Sequence, residues 1–72
     1  MQTKKDIEQY FLIELETLAF DKEYYYEYDG QAGANMEKKL DIYRQIAMHI
    51  GLEPDKIDNV VKHGINHFDN NQ

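Results

Sequence analysis

Tyr43-Arg-Gln-Ile-Ala-Met-His-Ile-Gly-Leu-Glu-Pro-Asp-Lys-Ile-Asp-Asn-Val-Val-Lys62 is the stretch that decides the fold. Ala47 stands four residues before Gly51, Ile57 six after it and Val60 nine after it. Reading back from the glycine at 100° per residue, Met36, Leu40, Tyr43, Ile46, Ala47 and Ile50 line one side of a helix, with Lys38, Asp41 and Gln45 opposite. Gly51 is free to take the left-handed conformation that ends a helix, so that Leu52 packs back beneath it. Pro54 suits the first turn of a new helix, where its missing N–H costs no bond. Ile57, Val60, Val61, Ile65 and Phe68 then form a buried face, and Gly64 among them permits a close helix contact. Asp69 to Gln72 should fray.

Toward the N-terminus, Thr3 followed by Asp6 marks a helix start, the hydroxyl accepting from an exposed amide. A helical pattern runs from there to Phe20 and on through the tyrosines to Tyr28. Ile7, Phe11, Leu12, Leu15, Leu18 and Ala19 share one broad core face. Tyr10, Ile13, Phe20, Tyr24 and Tyr28 fall on a second stripe, with glutamates at the boundaries. The tyrosines of residues 23–28 also suit a strand, but a lone strand has nothing to pair with. Asp29 to Asn35, rich in glycine, reads as a loop, with Asn35 as the cap of the next helix. The expectation is one all-α domain over residues 1–72, a small three-helix bundle with helices at about 4–28, 36–50 and 54–68.

At 72 residues, with no cysteine, the chain is near the lower limit for folding on an ordinary core and has no disulfide to help. Mean hydropathy is −0.80. No apolar run reaches membrane-spanning length and no signal-peptide pattern opens the sequence, so the expected location is the cytoplasm, away from membranes. Net charge is −6, unevenly spread: residues 1–29 carry three lysines against eight carboxylates, residues 30–72 five cations against six. Bulk charge gives no reason for nonspecific nucleic-acid affinity.

The apolar skeleton from Tyr43 to Lys62 resembles the tri-helical helix-turn-helix domains of small DNA-binding repressors. The likeness rests on small Ala47, turn Gly51 and apolar Ile46, Ile50, Leu52, Ile57 and Val60, and covers 20 of the 72 residues. It implies a last helix whose outer side enters the major groove. Asn59 and Asn66 would then pair with adenine, Lys62 would reach guanine or a phosphate, and Lys38, Lys39 and Arg44 would touch the backbone. Against this, the reading helix opens with Glu53, Asp55 and Asp58, and phosphates repel carboxylates. A DNA-binding transcriptional regulator is therefore the alternative reading, and nucleic acid is a partner only within it.

The favoured reading starts from Phe20-Asp-Lys-Glu-Tyr-Tyr-Tyr-Glu-Tyr-Asp29. Tyrosine combines a large apolar ring with a hydroxyl, the combination enriched at interfaces. The acids around it steer basic partners and reject acidic ones. Three helices in so short a chain leave one stripe of the first helix to cover with another molecule. The expected surface is Tyr10, Ile13, Glu16, Phe20, Glu23, Tyr24, Glu27 and Tyr28, and the expected partner is a protein with a basic surface. A symmetric homodimer through the same stripe is the further option. The function expected is a small regulator, adaptor or inhibitor acting stoichiometrically, in its sharpest form by imitating the charge of DNA. The bland reading has Tyr24, Tyr25 and Tyr28 simply completing a small core.

Catalytic chemistry has poor raw material here. There is no phosphate-cradling glycine loop and no cysteine, and three short helices leave little room for a substrate cleft. No enzyme activity and no cofactor are expected. His63 and His67, four apart on one helix, face the same side as a metal pair would, with His49 or Asp69 as candidates to complete a site, but nothing fixes a third ligand, so no metal site is expected.

Overall fold

A computed structural model of the chain describes residues 3–70. Three helices make up the fold: α1 (Lys4–Tyr28), α2 (Gly30–His49) and α3 (Pro54–Asn70). The bundle is all-α, and its long axis of 38 Å matches the length of α1, whose 25 residues rise about 1.5 Å each. The tyrosine run thus continues the first helix. No helix among the described residues is long and apolar enough to cross a membrane.

Each end of α1 is fixed by its own sequence. Asp6 N–H donates to Thr3 Oγ1 and Thr3 N–H to Asp6 Oδ2, both at 3.2 Å, a reciprocal capping box. At the far end a single residue, Asp29, joins two helices. Its N–H donates to the Tyr25 carbonyl at 2.8 Å, closing α1. Its carboxylate accepts from Gln31 N–H at 3.0 Å, opening α2.

Residues 30–35 are therefore helix, and the expected loop from Asp29 to Asn35, with Asn35 as cap, is corrected. Glycine costs a helix about 1 kcal/mol relative to alanine, which is why this segment reads as a loop. The Asp29 cap, the intervening Ala32 and Ala34, and tertiary packing of Gly33 against Tyr26 outweigh that cost. Asn35 sits inside the helix, its Oδ1 accepting from Gln31 Nε2 at 3.2 Å. α3 also runs past its expected end, with Asp69 and Asn70 helical rather than frayed. Asn71 and Gln72 lie outside the described residues.

The α2–α3 turn follows its sequence. Gly51 has φ 106°. Gly51 N–H donates to the Met48 carbonyl at 3.1 Å and Leu52 N–H to the Ala47 carbonyl at 3.0 Å, the paired bonds of a Schellman motif. Leu52 is buried beneath it.

The core gathers around α1. Leu15, Leu18 and Ala19 pack with Leu40 and Ala47 of α2, Leu52 of the turn, and Ile57 and Val61 of α3. Phe68 is buried beside Phe20, ring centroids 5.6 Å apart. Fully burying side chains of this kind contributes about 1.5–3 kcal/mol each. α1 packs extensively on both other helices, which touch one another sparsely. Gly64 makes the α1–α3 approach possible, because a Cβ there would press on the Glu16 carbonyl and lie 3.0 Å from Ala19 Cβ.

Two residues expected on core faces lie exposed, Ile7 and Ile46. Ile7 is in the first turns of α1, at the end where the Lys4 side chain reaches Gly51. Ile46 is turned outward because α1 alone covers α2, so α2 buries a narrow stripe rather than the broad one drawn from periodicity.

Candidate acidic tyrosine surface

Helix register decides which part of the second stripe of α1 is covered. α3 runs parallel to α1: Glu16 contacts His63, Ala19 faces Gly64, and Phe20 meets His67 and Phe68. The pairing is offset by 45 to 48 residues, so Asn70, the last residue of α3, falls beside residues 22–25 of α1. α2 runs antiparallel, with Phe11 against Tyr43 near one end and Tyr26 against Gly33 near the other. The last turn of α1 and the first turns of α2 therefore form a two-helix end that α3 does not cover, among the described residues.

Tyr24, Tyr25 and Tyr28 cluster on that end. Tyr24 lies edge-on to Tyr25 at 5.5 Å and tilted against Tyr28 at 4.9 Å between ring centroids. Ring pairs at such spacings interact favourably beyond simple burial. Tyr28 is 74% exposed, the most of any large apolar or aromatic side chain described. The Tyr28 hydroxyl, first as a hydrogen-bonding neighbour and then as a second phenol, raises the Tyr24 pKa above its ordinary 10.0. The Tyr24 hydroxyl therefore stays protonated, able to donate or accept, into alkaline solution.

Tyr26 has a different job. Its ring lies over Gly33, where a Cβ would come within 2.5 Å of ring atoms. Its hydroxyl donates to Glu37 Oε2 at 2.6 Å. That bond, more than desolvation, raises the Tyr26 pKa. Tyr26 clamps the hairpin through ring and hydroxyl contacts to α2, whereas Tyr24, Tyr25 and Tyr28 make ring contacts with one another.

Charge at this end is one-sided. Between Phe20 and Glu37 the only cation is Lys22, against Asp21, Glu23, Glu27, Asp29 and Glu37. Lys22 approaches Glu23 at 3.8 Å, Asp29 is used as a cap and Glu37 by Tyr26. Glu27 has no hydrogen-bond or ion-pair partner among the described residues.

The remaining expected site residues are distributed along α1. Phe20 is half-buried against α3 and, with Glu16, Thr17, Gly64 and His67, lines an open groove of about 310 Å³. The Glu16 carboxylate meets His63 Nδ1. Tyr10 and Ile13 are exposed farther toward the N-terminus, Tyr10 in ring contact with Phe11. The eight residues are thus brought into three places: a tip (Glu23, Tyr24, Glu27, Tyr28), a groove (Glu16, Phe20) and an outlying pair (Tyr10, Ile13). Sequence reasoning left Tyr25 out of the site. Adjacent residues sit 100° apart on a helix, and only the Tyr24–Tyr25 ring contact joins it to the cluster.

On α3, Asn59, Lys62 and Asn66 are exposed. Beside them Asp58 is held by Arg44, Nη2 to Oδ1 at 2.6 Å, across the α2–α3 gap. His63 and His67 go separate ways, the first to Glu16 and the second edge-on to Phe20 at 5.4 Å. Among the described residues no group of three or more His, Asp or Glu gathers as a metal site would require. Compared with protein-family models, curated proteins and solved structures, the chain matches none of them.

Proposed function

We propose that the protein is a small acidic regulator, adaptor or inhibitor that binds another protein stoichiometrically through the uncovered end of the α1–α2 hairpin. The observation that carries the reading is the three-ring cluster of exposed Tyr24, Tyr25 and Tyr28 at the end of the α1–α2 hairpin, in a field of carboxylates. Rigid aromatic anchors supply contact area at low entropic cost, and a carboxylate rim draws in a basic partner while rejecting acidic ones. Glu23 and Glu27 form that rim, and the Phe20–Glu16 groove extends the surface along α1. A partner with an exposed apolar residue ringed by lysine or arginine fits this description.

Duplex DNA fits the molecule less well. Asn59, Lys62 and Asn66 share their outer face with Asp55 and Asp58, and a phosphate backbone opposes both carboxylates.

Affinity capture from the native host, with and without nuclease, tests the reading. Wild type is expected to recover a protein that survives nuclease and disappears when Tyr24→Ala is combined with Tyr28→Ala. Recovery that persists in this variant, or that vanishes with nuclease and with Lys62→Ala, would overturn it.

A further inference from the structure

α2 carries a second uncovered apolar face, and its charge is opposite to that of the tyrosine end. Asn35, Lys38, Lys39, Ile42, Gln45, Ile46 and His49 fall on one side of the helix at 100° per residue. That side contains two lysines and no carboxylate. Ile42 is 55% exposed and Ile46 41%. Next to them Gln45, Ile46, His49 and Ile50 line an open hollow of about 340 Å³. The tyrosine face inverts this arrangement: Tyr24 and Tyr28 in the middle, Asp21 and Glu27 at the sides, and no cation.

We propose that the α2 face is a docking surface for the tyrosine end of a second copy of this chain, giving head-to-tail self-association. The inference rests on the reading of the tyrosine end as a protein-binding surface and names one occupant for it. Charge selects the arrangement. A symmetric pairing of two tyrosine ends sets Asp21 and Glu27 of both copies against each other, and a symmetric pairing of two α2 faces does the same with Lys38 and Lys39. Like charges brought together across an interface cost binding energy. Only the head-to-tail pairing sets apolar against apolar and carboxylate against lysine.

The geometry also prevents one copy from satisfying itself. Ile42 and Ile46 sit at the level of Phe11 or beyond, given the Phe11–Tyr43 contact, about 20 Å along the axis from the tyrosine end at ~1.5 Å per residue. Each copy therefore offers one surface of each kind, and such contacts propagate into a ring or an open chain.

Sedimentation of the pure full chain tests this with two single variants at exposed positions, Tyr28→Glu and Ile42→Glu. Wild type is expected to gain mass with concentration and to lose it in high salt. Each variant alone is expected to be monomeric, at least tenfold weaker in self-association. An equimolar mixture is expected to form a one-to-one dimer and stop there, because only one intact surface of each kind remains. Lys38→Glu, a charge change at another exposed position, is expected to weaken association as well and guards against a folding artefact at Ile42.

A wild type that stays monomeric at every concentration would overturn the proposal. So would an Ile42→Glu variant that dimerises alone, which marks symmetric pairing of tyrosine ends. The protein-binding reading is scored separately: a monomeric chain that still recovers its partner through Tyr24 and Tyr28 removes self-association only.

Discussion

The same helix behaves differently in its two halves. In the body of the bundle, around residues 11–20, α1 is flanked on both sides and buries Leu15 and Ala19 completely. Beyond Tyr25, past the level of Asn70, it has α2 alone for company among the described residues, and none of residues 23–28 is buried. The sequence is no less aromatic there; among the described residues, α3 reaches only to the level of residues 22–25. The buried core belongs to the three-helix body, and the hairpin end, held by the Asp29 cap and the Tyr26 clamp, leaves Tyr24, Tyr25 and Tyr28 exposed.

The sharpest way to break the comparison is to damage the body. Leu15→Ala removes a fully buried side chain from the centre of the core and is expected to cost about 2–5 kcal/mol. In a domain whose whole stability is on the order of 4–11 kcal/mol, denaturant titration would show a large fall. A loss under 1 kcal/mol would mean that the core is not where the bundle is held.

The two close-contact glycines give a finer test. A Cβ at Gly64 meets the Glu16 backbone, which cannot move without shifting α1, so Gly64→Ala is expected to cost about 1–3 kcal/mol. A Cβ at Gly33 meets the Tyr26 side chain first rather than backbone, and alanine returns about 1 kcal/mol of helix propensity. Gly33→Ala is therefore expected to lower the denaturation midpoint by less than Gly64→Ala. The reverse order would place the tighter joint in the hairpin end.

Alkaline pH probes the clamp itself. Ionising Tyr26 breaks its bond to Glu37, and its folded pKa is raised above 10.0. Its contribution is therefore complete below pH 10 and is lost as the pH climbs through the raised value. Wild type and Tyr26→Phe should differ in thermal midpoint at neutral pH and converge across that alkaline window. A constant gap would mean that the hydroxyl contributes nothing through Glu37. The smallest expected effect on folding is that of Tyr24→Ala with Tyr28→Ala, which should leave the denaturation midpoint in place while removing partner binding.

Much of this architecture is legible in the residues. Thr3 with Asp6, Gly51 with Leu52, and Pro54 carry local signals strong enough to place helix ends, and α3 buries Ile57, Val61 and Phe68 on the face its periodicity marks. The start of α2 is not legible, because Gly30 and Gly33 read as loop until the Tyr26 ring is seen lying on one of them. The candidate surface was half legible. Periodicity groups Tyr10, Ile13, Phe20, Tyr24 and Tyr28 into one stripe, but the register of α3 against α1 decides that Phe20 is packed while Tyr24 and Tyr28 are left open. Register between helices is a tertiary property, and no local pattern encodes it. Tyr25 escapes the periodic grouping for another reason: it lies 100° round the helix from Tyr24, and only their ring contact joins it to the cluster.

Amide hydrogen exchange, free and saturated with the protein recovered by capture, tests the division between body and working end most directly. Free, the amides around Leu15, Ala19 and Val61 should exchange slowest and those of the α1–α2 hairpin end faster. On binding, new protection should appear at Tyr24–Tyr28 and across the first turns of α2. Protection confined to Asn59–Asn66 of α3, with the tyrosine end unchanged, would contradict the account.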